Sequence, residues 1–227
     1  MNPTPVVSVI LPILQRPERI DAVLGSVLRQ NFSDLELIVI DAAVDSGIKQ
    51  AISRLAPDDK RVIYQPCMAC SAAAISEVAL KSARGHWIAY LHDADEWLLD
   101  RLARQVELAD RLGAECDLVA GRLFEYLSAG KVRLHKWTMQ SDNVWLDPQQ
   151  RFGDGTKLIR TALIRRSIWQ ALLPFDPLDA SPQNFEWGLR LLRSRRTAAV
   201  AQGVAVLNAS CVDARVLDFE QASGRGT

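Results

Sequence analysis

The chain has 227 residues, 27 basic and 27 acidic side chains, a formal net charge of zero and 48% hydrophobic residues. That balance argues against nucleic acid or an anionic membrane as partner, and no apolar run reaches the ~18 residues a membrane helix needs. What remains is one globular domain with a real core, expected in the cytoplasm because no basic stretch precedes the first apolar run.

Val6 to Leu11 is a β-branched run that reads as a buried strand, ended by Pro12. Arg16-Pro17-Glu18 opens a helix, and Ile20, Val23, Leu24, Val27 and Leu28 line one face of it. Leu35 to Ile40 is a second strand ending at Asp41, residues 45–56 a weak helix, and Arg61 to Gln65 a third strand. Ser71 to Ala83 reads as an alanine-rich helix, with Ser71 as N-cap and Gly85 just past its end. Trp87 to Leu91 is a fourth strand, and Leu99, Leu102, Val106 and Ala109 stripe a helix that Gly113 terminates.

Strand and helix thus alternate four times. The pattern predicts an α/β fold, a mostly parallel sheet with helices on both faces. Right-handed crossovers place Pro12, Asp41 and Asp93 on the carboxyl edge, where open α/β sheets bind ligands. Beyond Gly113 the pattern is smaller and mixed. Asp117 to Tyr126 and Lys131 to Trp137 flank Ser128-Ala129-Gly130 as a hairpin, and residues 138–156 form a polar loop. Ala162 to Leu173 and Phe185 to Leu192 read as helices, Ala198 to Leu207 as one or two short strands, and residues 211–227 as a mobile tail.

Two clusters carry chemistry. Asp93-Ala94-Asp95 is an Asp-x-Asp directly after a strand. In an extended chain its carboxylates point the same way, roughly 6–7 Å apart, and suit one Mg²⁺ or Mn²⁺. Cys67 and Cys70 form a CxxC, followed by His86 and His92. Zinc is rejected, because a strand holds the two histidines about 20 Å apart while zinc ligands lie about 2 Å from the metal. The thiols are expected to be reduced, with a redox pair as the lesser alternative.

The ordered set Val-Ser-Val-Ile-Leu-Pro at 7–12, Arg16-Pro17-Glu18-Arg19, Leu37 to Asp41, Ala83-Arg84-Gly85, Ile88 to Leu91 and Asp95-Glu96-Trp97 resembles the family 2 inverting glycosyltransferases of GT-A fold. It extends over roughly residues 6–207. The sugar nucleotidyltransferases are set aside, since Leu11 to Arg16 lacks their glycine-rich phosphate loop. The resemblance implies transfer of a sugar from a nucleoside diphosphate sugar to a glycan or other acceptor, usually with a divalent cation. It makes residues 1–113 the nucleotide-binding half and 114–210 the acceptor half of one domain. Pro12, Asp41, Asp93 and Asp95 become candidate donor contacts, with Asp41 reading the nucleobase and ribose.

Departures from the family pattern are specific. Ala42, Ala43 and Val44 replace its polar neighbours of Asp41. His92 stands at its first metal-loop acid, Ala94 at the chelating acid, and Asp95 at the next, so the tentative metal set is Asp93, Asp95 and His92. At the catalytic base stands Asn184, which cannot take a proton at neutral pH, with Glu186 as a substitute two residues on. Lys157 to Arg196 carries eight basic residues against three acidic, some of which could hold a diphosphate in place of a cation. Weak transferase activity is the expectation. The alternative is a catalytically silent member that binds or scaffolds a partner glycosyltransferase.

Overall fold

A computed structural model describes residues 3–13, 17–42, 46–67, 72–93, 95–126, 132–135, 159–171, 197–199 and 206–208. In chain order the elements are β1 (Val7–Ile13), α1 (Ile20–Leu28), β2 (Leu35–Asp41), α2 (Ser46–Leu55), β3 (Val62–Pro66), α3 (Ala72–Ser82), β4 (Trp87–Tyr90), β5 (Asp95–Trp97) and α4 (Arg101–Leu112). Then follow β6 (Leu118–Ala120), β7 (Leu123–Tyr126), β8 (Val132–His135), β9 (Leu163–Arg165), α5 (Arg166–Ala171), β10 (Thr197–Ala199) and β11 (Val206–Asn208).

Seven strands form one sheet in the order β10-β6-β9-β4-β1-β2-β3. All its pairings are parallel except those of β9, which runs antiparallel between β4 and β6. The sheet is apolar on both faces, as buried parallel strands must be. Val7, Val9, Leu11 and Ile13 face one layer with Val23, Leu24 and Val27 of α1, Ile48 of α2 and Leu102 and Val106 of α4. Ile10, Ile38, Ile88 and Ile164 face the other, with Ile75 and Ala79 of α3 and Trp169 of α5. A smaller sheet, β5-β11-β7-β8, carries the predicted hairpin as the antiparallel pair β7 and β8.

Four expectations are corrected. Pro12 does not end β1; it pairs with Ile40 inside the strand. Pairing with β4 stops at Ile10, so the residue lacking an N–H sits where β1 has a neighbour on one flank only. Leu99 is 45% exposed and precedes α4, so it is not part of that helix's buried stripe. The run after Ala162 opens as a strand, because Leu163 and Ile164 fill the slot between β4 and β6 before α5 begins. Asp95, expected in a loop, begins β5. Gly113 ends α4 as predicted, at φ 59 with its N–H on the Ala109 carbonyl. Ser71, residues 138–156, the 185–192 helix and the 211–227 tail lie outside the described residues.

Ala83-Arg84-Gly85 acquires a packing reason. At the amino edge of the sheet the Ser8 hydroxyl donates to Glu36 Oε1 at 2.6 Å, and the Gly85 N–H donates to Ser8 Oγ at 2.8 Å. Arg84 grips the same carboxylate through its backbone N–H at 2.7 Å and its Nε at 2.9 Å. A Cβ on Gly85 would stand 2.5 Å from the Ser8 nitrogen, so no larger side chain fits without moving backbone.

Candidate functional site

β4, β1 and β2 are neighbours in the sheet, and their carboxyl ends bring Pro12, Asp41 and the 91–95 segment to one edge. Asp41 closes β2 and is fully buried. Its Oδ2 accepts from the Tyr64 hydroxyl at 2.8 Å, and its carbonyl accepts from the Cys67 N–H at 2.9 Å. Both contacts come from β3 and the residue after it, the strand next to β2.

The segment after β4 is not extended. Leu91 still donates to Ile10 O at 2.9 Å, but the Asp95 N–H then turns back to His92 O at 2.9 Å. This tight turn removes the extended i, i+2 geometry on which a cation shared by Asp93 and Asp95 rested. The two acids take different partners. Asp93, 3% exposed, lies 3.3 Å from His92 Nδ1. Asp95, 0% exposed, is held by both arms of Arg160: Nε donates to Oδ2 at 2.6 Å, and Nη2 donates to Oδ1.

Arg160 reaches Asp95 because β9 is antiparallel to β4. Leu163 pairs with Ala89, so the residues just before β9 sit at the carboxyl edge of β4. A second arginine backs the pair. Arg101, the first residue of α4, is fully buried and stacks on Trp97 with 3.9 Å from Cζ to the ring centroid. Its Nη1 donates to Arg160 O at 3.0 Å and its Nε to Gln105 Oε1 at 3.2 Å, while Nη2 has no hydrogen-bond partner among the described residues. Gln105 Nε2 fixes the layer beneath through Val119 O and Thr161 O, each at 2.8 Å. Burial lowers the Arg101 pKa to about 9, against the pull of Asp95. Burial likewise raises the Asp95 pKa, opposed by Arg160, His92 and Arg101. Farther along, Arg19 bonds Glu96 at 2.6 Å and ties the entry of α1 to β5.

These donors do not suit a dication. Mg²⁺ and Mn²⁺ need several oxygen ligands free to turn toward the ion. Asp95 spends both oxygens on Arg160, and Asp41 holds the Tyr64 hydroxyl. Among the described residues no group of three or more His, Cys, Asp or Glu side chains is placed to hold a metal ion. His86 and His92 flank β4 at its opposite ends, as the sequence required. Cys67, expected as a free thiol, is disulfide-bonded to a partner outside the described residues, while Cys116 is free and buried. Asn184 and Glu186 lie outside the described residues.

Tyr64, Arg101 and Arg160 were not singled out from the sequence. Tyr64 was legible in principle, two residues before a strand end beside that of Asp41. Arg160 falls within the basic Lys157 to Arg196 stretch read as able to hold a diphosphate, but its pairing with Asp95 was not legible, since 65 positions separate the two, and Arg101 carried no signal.

The glycosyl transferase family 2 model matches residues 8–170. Among curated proteins, the UDP-Glc:alpha-D-GlcNAc-diphosphoundecaprenol beta-1,3-glucosyltransferase WfgD of Escherichia coli is 33% identical over 103 residues, 45% of this chain and 40% of WfgD. The chain spans under half the length of such relatives. Among solved structures, residues 1–349 of S. aureus TarS superpose with a TM-score of 0.72 at 14% identity, over 88% of this chain and 59% of that one. The mannosyltransferase PcManGT from Pyrobaculum calidifontis, in complex with GDP-Man and Mn²⁺, superposes with a TM-score of 0.62 at 16% identity, over 100% of this chain and 66% of that one. The fold is therefore the GT-A α/β fold.

Proposed function

This chain belongs to glycosyl transferase family 2, and from that membership we propose that it transfers a sugar from a nucleoside diphosphate sugar to an acceptor hydroxyl in cell-surface glycan assembly. The observation that carries the proposal is that Asp41 and the residues after β4 stand at the carboxyl ends of the two strands flanking β1, within the matched residues. Asp41, held by Tyr64, is the group that reads the ribose and base. Pro12 shapes the floor between them, and the diphosphate runs toward the 92–95 turn.

In an inverting transfer the acceptor oxygen bonds to the anomeric carbon as the bond to the diphosphate breaks. The diphosphate leaves with the electron pair, and a base takes the hydroxyl proton. Asn184 stands where the base is expected, and Glu186 is the nearby carboxylate to replace first. The acceptor class follows WfgD, a sugar on a lipid diphosphate. Among the described residues no helix is long and apolar enough to cross a membrane.

Nucleotide titration by calorimetry, paired with an assay of nucleoside diphosphate release, tests the proposal. Asp41→Ala is expected to abolish binding. A variant that binds like the wild type would place the donor elsewhere.

A further inference from the structure

Family 2 membership and the Mn²⁺ of PcManGT raise the question of what neutralises a bound diphosphate here. The residues after β4 offer little to a cation. Ala94 stands at the chelating position, and Asp95 is committed to Arg160. The same place offers a surplus of positive charge. Within the hydrogen-bonded set around Asp95, two guanidinium groups stand against one carboxylate: Arg160 pairs with Asp95, Arg101 donates to the Arg160 backbone carbonyl, and the buried Asp93 carboxylate on the same turn lies outside that set.

Two features point this surplus at an anion. The first is the orphaned Arg101 Nη2, in a side chain with no exposed surface. A buried guanidinium donor without an acceptor is costly, and an anion nearby would relieve it. The second is location. α4 starts at Arg101, and its Asp100 N-cap makes no side-chain cap, so the helix's positive end lies beside the cluster. Arg160 is the member nearer solvent, with 15% of its side chain exposed, and it holds Asp95 through Nε and Nη2.

Resting on the proposed nucleotide-sugar site, we infer that this chain binds its diphosphate without a divalent cation, Arg160 meeting the phosphates and Arg101 supporting its charge from behind. Asp95 is then the anchor that orients Arg160 and not a metal ligand. Guanidinium matches phosphate geometry, and such charge-assisted bonds are about twice as strong as neutral ones.

The test is calorimetric titration of the full chain with UDP, GDP, dTDP and CDP, each in EDTA and each with Mn²⁺, then with the matching monophosphate. The expected result is a diphosphate whose affinity changes less than about twofold between EDTA and Mn²⁺. Arg160→Met should lower diphosphate affinity about tenfold or more while lowering monophosphate affinity far less, in keeping with one lost charge-assisted contact. Arg160→Lys should restore part of the difference. An equal loss for both nucleotides in Arg160→Met would mean that Arg160 only supports the fold, and would overturn the inference. So would binding that tightens more than about tenfold with Mn²⁺, which leaves the donor site itself standing. No binding of any of the four nucleotides under either condition would overturn the donor site and this inference with it.

Discussion

Two buried carboxylates, each gripped by an arginine, lie at opposite edges of one sheet, and they are built for different ends. At the amino edge Glu36 is 1% exposed and accepts from the Ser8 hydroxyl, the Arg84 N–H and the Arg84 guanidinium. One acid meets one base, and Gly85 closes the gap against Ser8. At the carboxyl edge Asp95 is gripped by Arg160, whose backbone carbonyl accepts from a second guanidinium, that of Arg101, and among the described residues Arg101 keeps an unpartnered nitrogen. A saturated network holds strands together and offers nothing to a ligand. A network with charge left over is the one that can take another molecule.

The largest effect expected belongs to the saturated edge. Gly85→Ala should cost about 3 kcal/mol of stability by urea unfolding, since the new Cβ would press on backbone that cannot retreat. Glu36→Gln should cost about 2 kcal/mol, less than a fully buried pair because the Arg84 side chain is 46% exposed. Nucleotide affinity should hold in the folded fraction of both variants, and a selective loss of affinity would erase the contrast between the edges. Arg101→Met should behave oppositely. Replacing a surplus buried charge by an apolar chain of similar length should change stability by less than about 1 kcal/mol. Diphosphate affinity should fall severalfold, and a destabilisation as large as that of Glu36→Gln would show the two edges to be alike.

The smallest effect sharpens the comparison within the site. Tyr64→Phe removes the hydroxyl held by Asp41 Oδ2 and should weaken nucleotide binding about fivefold, the worth of roughly 1 kcal/mol of hydrogen bond. Stability should move little, because β3 lies at the sheet's edge and the Tyr64 ring is only partly buried.

The parallel core was legible because its cause is local and repeated. Val7, Val9, Leu11, Leu35 and Leu37 to Ile40 are the apolar positions that these buried strands turn to the helical layers, and Ile20, Val23, Leu24 and Val27 recur at helical spacing. Once those elements are placed, crossover handedness alone carries Pro12, Asp41 and Asp93 to one edge. Short elements escaped. β5 and β9 have three residues each, too few to show a period, and Leu163-Ile164 reads equally well as helix. The partners of Asp95 escaped for a different reason. Nothing near Asp93-Ala94-Asp95 announces that an arginine 65 residues later will claim it. An Asp-x-Asp therefore suggested a cation, where the tertiary structure supplies a guanidinium.

The antiparallel β9 also governs how the chain can be cut and in what order it can be completed. Its three residues are inserted between β4 and β6, so the sheet is laid down out of sequence: the strand at 163–165 must arrive before the strand at 118–120 can join. A fragment stopped after Gly113 would leave β4 with a bare row of amide and carbonyl groups along its outer side, the kind of edge that recruits other strands. It would also carry Asp95 without Arg160 to cover it. During synthesis the same open edge persists until residue 165 has emerged and docked, which marks β4 as the strand that a nascent chain, or a truncated one, has most need to shield.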